Sequence, residues 1–297
     1  MKITVNQIKT LMSEGKNICL NEDFSVKGVT LIKKGKALSD RDIRRLEASR
    51  HRELDVDLTD KFSIDPKIKS SISRTIQTTL SNHKYYKSLK KKDIFEKLIQ
   101  NVFPHNDYVS FALQHIHHTS KQLFEHSVHV GIISLILDLA IQENCNSGHI
   151  NAQRQEHIFY GALLHDIGYL KIDKSLWEKN RGDIDYQEPS LRNHPAIGYD
   201  ILIKDQNKHK FHNEILHIVL HHEERHNRTG FPTGLHKDAI DPYAQIVGLC
   251  NEFEHLLSDS LGKSHRCYLD KSRYLSKSEG FDKSNINLLL EEFSHLQ

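Results

Sequence analysis

Ile158-Phe159-Tyr160-Gly161-Ala162-Leu163-Leu164-His165-Asp166 is a largely apolar run that ends abruptly in an imidazole and a carboxylate. The run calls for a buried setting, and a buried ionisable pair is costly unless it is hydrogen-bonded, ion-paired or bound to metal. The same arrangement comes again downstream: Ile215 to Leu220 leads into His221-His222, and Ile246 to Cys250 leads into Asn251. Upstream, His126 lies near the start of Phe124 to Ile141, a stretch apolar around most of a helical circumference, as expected of a helix buried in a bundle.

Each feature alone has an ordinary reading. His126, with His129 on its face at i+3, reads as a core histidine, and His165-Asp166 as a helix-end pair. His194-Pro195 reads as a helix start, because proline is favoured in the first turn. His221-His222 could be chance in a chain with 22 histidines, and His115, His117, His118 and His217 read as structural or surface residues. Order and spacing are more informative. His126, His165-Asp166, His194, His221-His222 and Asn251 are separated by about 39, 28, 27 and 29 residues, roughly a helix, a turn and a returning helix. One ligand group per helix can then lie in a single layer of a bundle, where facing helices build metal sites. Imidazoles with one carboxylate suit iron, manganese or zinc, whereas magnesium or calcium would call for more carboxylates. An aspartate in this position can bridge two ions, one oxygen to each.

The rest of the chain bounds the reading. It has 297 residues, 37% hydrophobic and 27% charged, with net charge +2; that balance is globular, and no global field argues for a nucleic-acid polymer or a membrane. Cys19, Cys145, Cys250 and Cys267 form no C-x-x-C pair, which excludes a zinc ribbon and suits reduced thiols in a cytoplasmic protein. The N-terminus lacks the apolar core of a signal peptide. Val130 to Ile141, about a dozen residues including Asp138, is too short to span a bilayer. Residues 1–61 read as a small α+β module, with strands at Asn17–Leu20, Val29–Lys33 and Glu53–Leu58. A helix follows Ser39, whose S-x-x-D pattern is a capping signal. Residues 62–101 read as a polar helical connector whose Lys84, Lys87, Lys90, Lys91 and Lys92 form a solvated face. Helical patterns dominate from 102 to 297.

Gly161-Ala-Leu-Leu-His165-Asp166-Ile167-Gly168 resembles the H-D-I-G core of HD-domain phosphohydrolases. His194-Pro-Ala-Ile-Gly198-Tyr-Asp-Ile-Leu202 is similar to the H-P-x-x-G-x-x-I-L element of the HD-GYP group, and His221-His222-Glu223 with Gly230-Phe231-Pro232 to its H-H-E…G-Y-P signature. The resemblance covers roughly residues 100 to 297, and the segment from Leu31 to Ile43 is similar to a small module that often precedes such domains. It implies a mainly α fold, an HD-type helical bundle behind a small N-terminal α+β module. It also implies hydrolysis of cyclic di-GMP to linear pGpG or GMP by a hydroxide held between two divalent ions, iron or manganese first and zinc third. The implied metal ligands are His126, His165, Asp166, His194, His221, His222 and Asn251, with Asp166 the bridging and catalytic carboxylate. Tyr169, Gly230, Phe231, Lys263 and Arg266 fall at substrate-binding positions. A homodimer through the connector and a signalling protein partner are further implications.

The chain departs from that pattern. Tyr169 stands where the group carries a lysine, Asn251 where it carries an aspartate, and Glu254 replaces another aspartate. The loop from Glu224 to Pro232 is one residue longer, and Phe231 lacks the tyrosine hydroxyl. Gln122 replaces the glutamate of three-metal members, which implies a two-metal site. These departures keep two alternatives open: a catalytically weak cyclic dinucleotide receptor or interaction module, and a phosphohydrolase for another nucleotide.

Overall fold

The computed structural model describes residues 2–13, 17–26, 28–34, 36, 38–49, 54–59, 74, 107–145, 150–178, 187–205, 211–260 and 265–294. The chain divides into two compact units, Met1–Asp65 and Pro66–Gln297. The connector lysines expected at 84–92 lie outside the described residues.

The N-terminal unit holds strands β1 (Lys2–Ile3), β2 (Asn17–Leu20), β3 (Phe24–Val26), β4 (Val29–Ile32) and β5 (Leu54–Thr59) with helices α1 (Val5–Ser13) and α2 (Asp40–Ala48). β5 lies between β1 and β2 in an antiparallel sheet, with Ile18 opposite Leu58, and β3–β4 form a separate hairpin. Ile8, Ile18, Ile32, Leu46 and Val56 meet in its core. Ser39 caps α2 as its sequence signal predicts: its side chain accepts from Asp42 N, and Asp42 reaches back to Ser39 N at 3.1 Å. β1, α1 and β3 were not expected from the sequence.

The second unit is helical: α3 (Asp107–Thr119), α4 (Lys121–Asn144), α5 (Ala152–Leu164), α6 (Lys174–Trp177), α7 (Pro189–Arg192), α8 (His194–Asp205), α9 (Asn213–His221), α10 (Pro242–Ser260), α11 (His265–Lys277) and α12 (Lys283–Glu292). A 3₁₀ turn, Ile167–Lys171, follows α5. α4 packs against α3, α5, α10 and α12, and α9 packs against α5, α8 and α10. With neighbours on so many sides, α4 can be apolar all round. Its full 24 residues correct the expectation of a span too short for a bilayer: among the described residues it is the one helix long and apolar enough to cross a membrane. However, 83% of its apolar window is buried inside the protein. Asp138, fully buried on α4, is met by Arg154 Nε at 2.5 Å, Gln142 Nε2 at 2.7 Å and Gln155. The glycine of His165-Asp166-Ile167-Gly168 has a steric cause. A Cβ there would collide with the carbonyl of His194, so only glycine lets the 3₁₀ turn press against the start of α8.

Candidate metal centre

Three candidate imidazoles sit where a helix runs out. His165 follows α5, His222 follows α9, and His194 comes two residues after α7 and opens α8. The last carbonyls of a helix have no intrahelical partner, and here each takes a ring N–H. Ala162 O accepts from His165 Nδ1 at 2.6 Å, Leu191 O from His194 Nδ1 at 2.7 Å and Val219 O from His222 Nδ1 at 3.1 Å. A carbonyl only accepts, so Nδ1 carries the hydrogen in all three rings, and the neutral ring presents a bare lone pair on Nε2. His126 is held differently. It lies within α4, and its Nδ1 is 2.6 Å from Oε2 of Glu254 on α10.

The four Nε2 atoms converge on Asp166, pairwise, one pair to each carboxylate oxygen. Oδ2 is 3.5 Å from His126 Nε2 and 3.2 Å from His165 Nε2. Oδ1 is 3.1 Å from His194 Nε2 and 3.6 Å from His222 Nε2. All five residues are buried. His194 and His222 face each other Nε2 to Nε2 at 3.1 Å. With both hydrogens committed to Nδ1, two lone pairs oppose at that distance, which is repulsive unless a cation lies between them. Donor atoms bonded to one first-row ion at about 2.0–2.2 Å are spaced about 3 Å apart, so the donor set fits. Two triads result, His126–His165–Asp166 and Asp166–His194–His222, sharing the aspartate. Among the described residues, His126 Nε2, His165 Nε2 and Asn251 Oδ1 are buried with no hydrogen-bond partner, which is what ligand atoms look like without their ion.

The electrostatics favour the metal-binding forms of Asp166, His222 and Glu254, whereas at His165 burial is outweighed by the neighbouring Asp166 carboxylate, which raises the pKa of the ring. Burial pushes the Asp166 carboxyl up, but His165, His194 and His222 outweigh it and hold the group well below the usual carboxylate range. Burial drives His222 down to about 4, which leaves it neutral near pH 7. Burial also opposes ionised Glu254, yet His126, His129 and His255 keep its pKa well below normal.

The remaining predicted residues divide. Asn251 is buried and lines the same pocket as Asp166; its Nδ2 donates to Glu223 Oε1 at 3.2 Å, which fixes which way the amide faces. His221 is a correction, because the structure does not bring it to the cluster. Neighbours at a helix end point about 100° apart; His222 turns inward, while His221 stacks on His217 with ring centroids 5.7 Å apart. Tyr169 lines the pocket and stacks on His194 at 4.4 Å, with Trp177 beyond it at 5.3 Å. Phe231 lines it too, edge-on to His194 at 6.1 Å. Gly230 does not line it. A Cβ there would strike the backbone of Glu223 to Arg225, so its part is to let the loop fold back. Lys263, like the side chain of Arg266, is outside the described residues.

Several residues of the site carried no functional reading in the sequence. Glu254 was visible only as a substitution, though it orients His126. Glu224 accepts from the backbone N–H groups of Thr233 (2.7 Å), Gly234 (3.1 Å) and Leu235 (2.8 Å), and so anchors the loop that carries Phe231. Arg192 and Trp177 line the pocket. The available signal for Arg192 was its place two residues before His194; for Trp177 and Glu224 there was none.

The sequence pattern of the family described as "HD domain" matches residues 134–272. The chain is 36% identical over 138 residues to the cyclic di-GMP phosphodiesterase response regulator RpfG of Xanthomonas campestris pv. campestris, covering 46% of this chain and 36% of that protein. It is 29% identical over 97 residues to the cyclic di-GMP phosphodiesterase PA4108 of Pseudomonas aeruginosa, covering 33% of this chain and 23% of that one. The chain thus spans well under half the length of either relative. Among solved structures, Bd1817, an HDG"Y"P protein from Bdellovibrio bacteriovorus, superposes with a TM-score of 0.48 at 18% identity over 94% of each chain. The HD domain of the L. monocytogenes phosphodiesterase PgpH, in complex with cyclic-di-AMP, gives 0.45 at 13% identity over 61% of this chain and 92% of that one. Residues 134–272 thus match the HD-domain family, and the relatives and the motifs agree in likening this part of the chain to the HD-GYP group.

Proposed function

We propose that this chain is a metal-dependent phosphodiesterase that hydrolyses cyclic di-GMP to pGpG or GMP. The observation that carries the reading is the placing of Asp166, with one carboxylate oxygen toward each pair of Nε2 lone pairs. His126, His165 and Asp166 would hold one divalent ion; Asp166, His194 and His222 would hold a second. Iron or manganese suits this donor set, and zinc is the third choice. Such ions, when bound, supply Lewis-acid charge to a phosphodiester and make a water more acidic.

The protein's own part is positioning. Helix-end carbonyls fix three ring tautomers, and Glu254 fixes the fourth ring, so no reorganisation is needed when the site is used. Tyr169, Trp177 and Phe231 offer aromatic faces in the pocket to a purine. Two curated relatives are named cyclic di-GMP phosphodiesterases, which supports the guanylate.

Asn251 favours a second reading, a receptor that binds without turnover. It is neutral where the resemblance expects a carboxylate, and its amide is tied to Glu223. Mixing anaerobically metal-loaded protein with cyclic di-GMP separates the two. Linear product accumulating in proportion to protein supports the phosphodiesterase, whereas tight binding without product supports the receptor.

A further inference from the structure

Among the described residues lining the pocket around Asp166, Arg192 is the single lysine or arginine. It ends α7, two residues before His194, and its guanidinium carbon lies 4.6 Å from the centre of the Phe231 ring. The one hydrogen bond of its side chain within the described residues is long, from Nη1 to Gln187 Oε1 at 3.5 Å, and no carboxylate among those residues lies within ion-pairing distance. A guanidinium has five N–H donors in a rigid fork. Here an aromatic face supports that fork, and among the described residues nearly all its donors remain available.

The neighbouring charges sharpen the point. Among the described residues, Asp166 and Glu223 are the acids lining the same pocket, and Glu223 already has Arg225 Nη2 at 3.0 Å. Arg192 is therefore not needed to neutralise a protein carboxylate. The resemblance places a phosphate-facing lysine at position 169, and Tyr169 instead stacks on His194.

We infer that Arg192 forms a phosphate-binding subsite, seated on Phe231, that holds a non-bridging oxygen of a phosphodiester beside the metal centre and replaces the cation lost at Tyr169. The inference rests on the phosphodiesterase reading and deepens it. Glu224 enters as a positioning residue, because it anchors the loop that brings Phe231 under the guanidinium. Paired with phosphate, the fork makes charge-assisted hydrogen bonds that a lysine at the same place would copy only as a point charge.

The test uses full-length metal-loaded protein, as wild type, Arg192→Gln and Arg192→Lys. It uses two diesters: cyclic di-GMP, and bis(4-nitrophenyl) phosphate, which has no guanine. Metal content is measured for each protein. For Arg192→Gln, KM is expected to rise roughly tenfold or more for both diesters at unchanged metal content, with Arg192→Lys in between. Equal KM in wild type and Arg192→Gln overturns the inference and leaves the phosphodiesterase reading standing. So does loss of metal in Arg192→Gln, which would mark the residue as structural. Wild type that cleaves only the simple diester, with the expected rise in KM for Arg192→Gln, supports the subsite and overturns the guanylate reading. Wild type that neither binds nor cleaves either diester overturns both.

Discussion

The two halves of the candidate metal centre are built by different means. On the Oδ1 side of Asp166, His194 and His222 are both locked by a carbonyl three residues earlier in the chain. On the Oδ2 side, His165 uses the same device, but His126 depends on Glu254, 128 residues away on another helix. The difference follows from position. A histidine at a helix end finds spare carbonyls beside it, whereas one inside a helix finds those carbonyls taken by the backbone and must borrow a partner by tertiary packing. One half is thus set by local structure, and the other by how α4 meets α10.

The largest disturbance should come from the residue both halves share. Asp166→Ala is expected to remove nearly all bound metal from both, with turnover at background, as read by elemental analysis and product assay. Retention of a full complement would break the two-sided picture. Next, His222→Ala should empty the Oδ1 half and leave the Oδ2 half able to bind, which titration with manganese would show as the loss of one of two binding events. A smaller and one-sided effect is expected of Glu254→Gln. Removing the carboxylate that orients His126 should weaken metal binding on the Oδ2 side by roughly 10–100-fold and leave the Oδ1 side unchanged. Equal weakening of both sides would show that the halves are not independent.

Asn251→Asp tests the neutral ligand position. Its Nδ2 faces Glu223 Oε1 at 3.2 Å, so an aspartate there would set two carboxylates against each other in the metal-free protein. The variant is expected to melt at lower temperature without metal and to bind metal more tightly than wild type, an opposite-signed pair of changes that calorimetry and metal titration can read. Smallest is Glu224→Gln, which leaves metal content alone. It removes a buried carboxylate that accepts three backbone N–H groups, and each charge-assisted bond of this kind is worth about 1.5–3 kcal/mol. Loss of loop order should therefore show as a raised KM at unchanged metal stoichiometry.

How far the site could be read in the sequence follows from the same division. His165, His194 and His222 each follow a helix, so the pattern of an apolar run ending in a ligand was visible residue by residue, and Asp166 came with His165. The bundle was legible because α4, α5, α9 and α10 carry long apolar stretches, and α2 because its capping box is local. Glu254 could not be read in its role, since its value lies in reaching His126 across the bundle. His221 was placed among the ligands because the doublet His221-His222 does not say which ring turns inward; that depends on how α9 packs on α5, α8 and α10. β1, α1 and β3 went unseen because Val5–Ser13 is short and only two residues pair in β1 and three in β3, too little periodic pattern to stand out from turns.

The central claim is that one buried carboxylate holds two ions between two imidazole pairs, and the most direct measurement is metal stoichiometry. Protein purified without oxygen, loaded with iron or manganese and freed of excess should retain two ions per chain, falling to near zero in Asp166→Ala. A stoichiometry of one or none, or one that Asp166→Ala leaves unchanged, would contradict it.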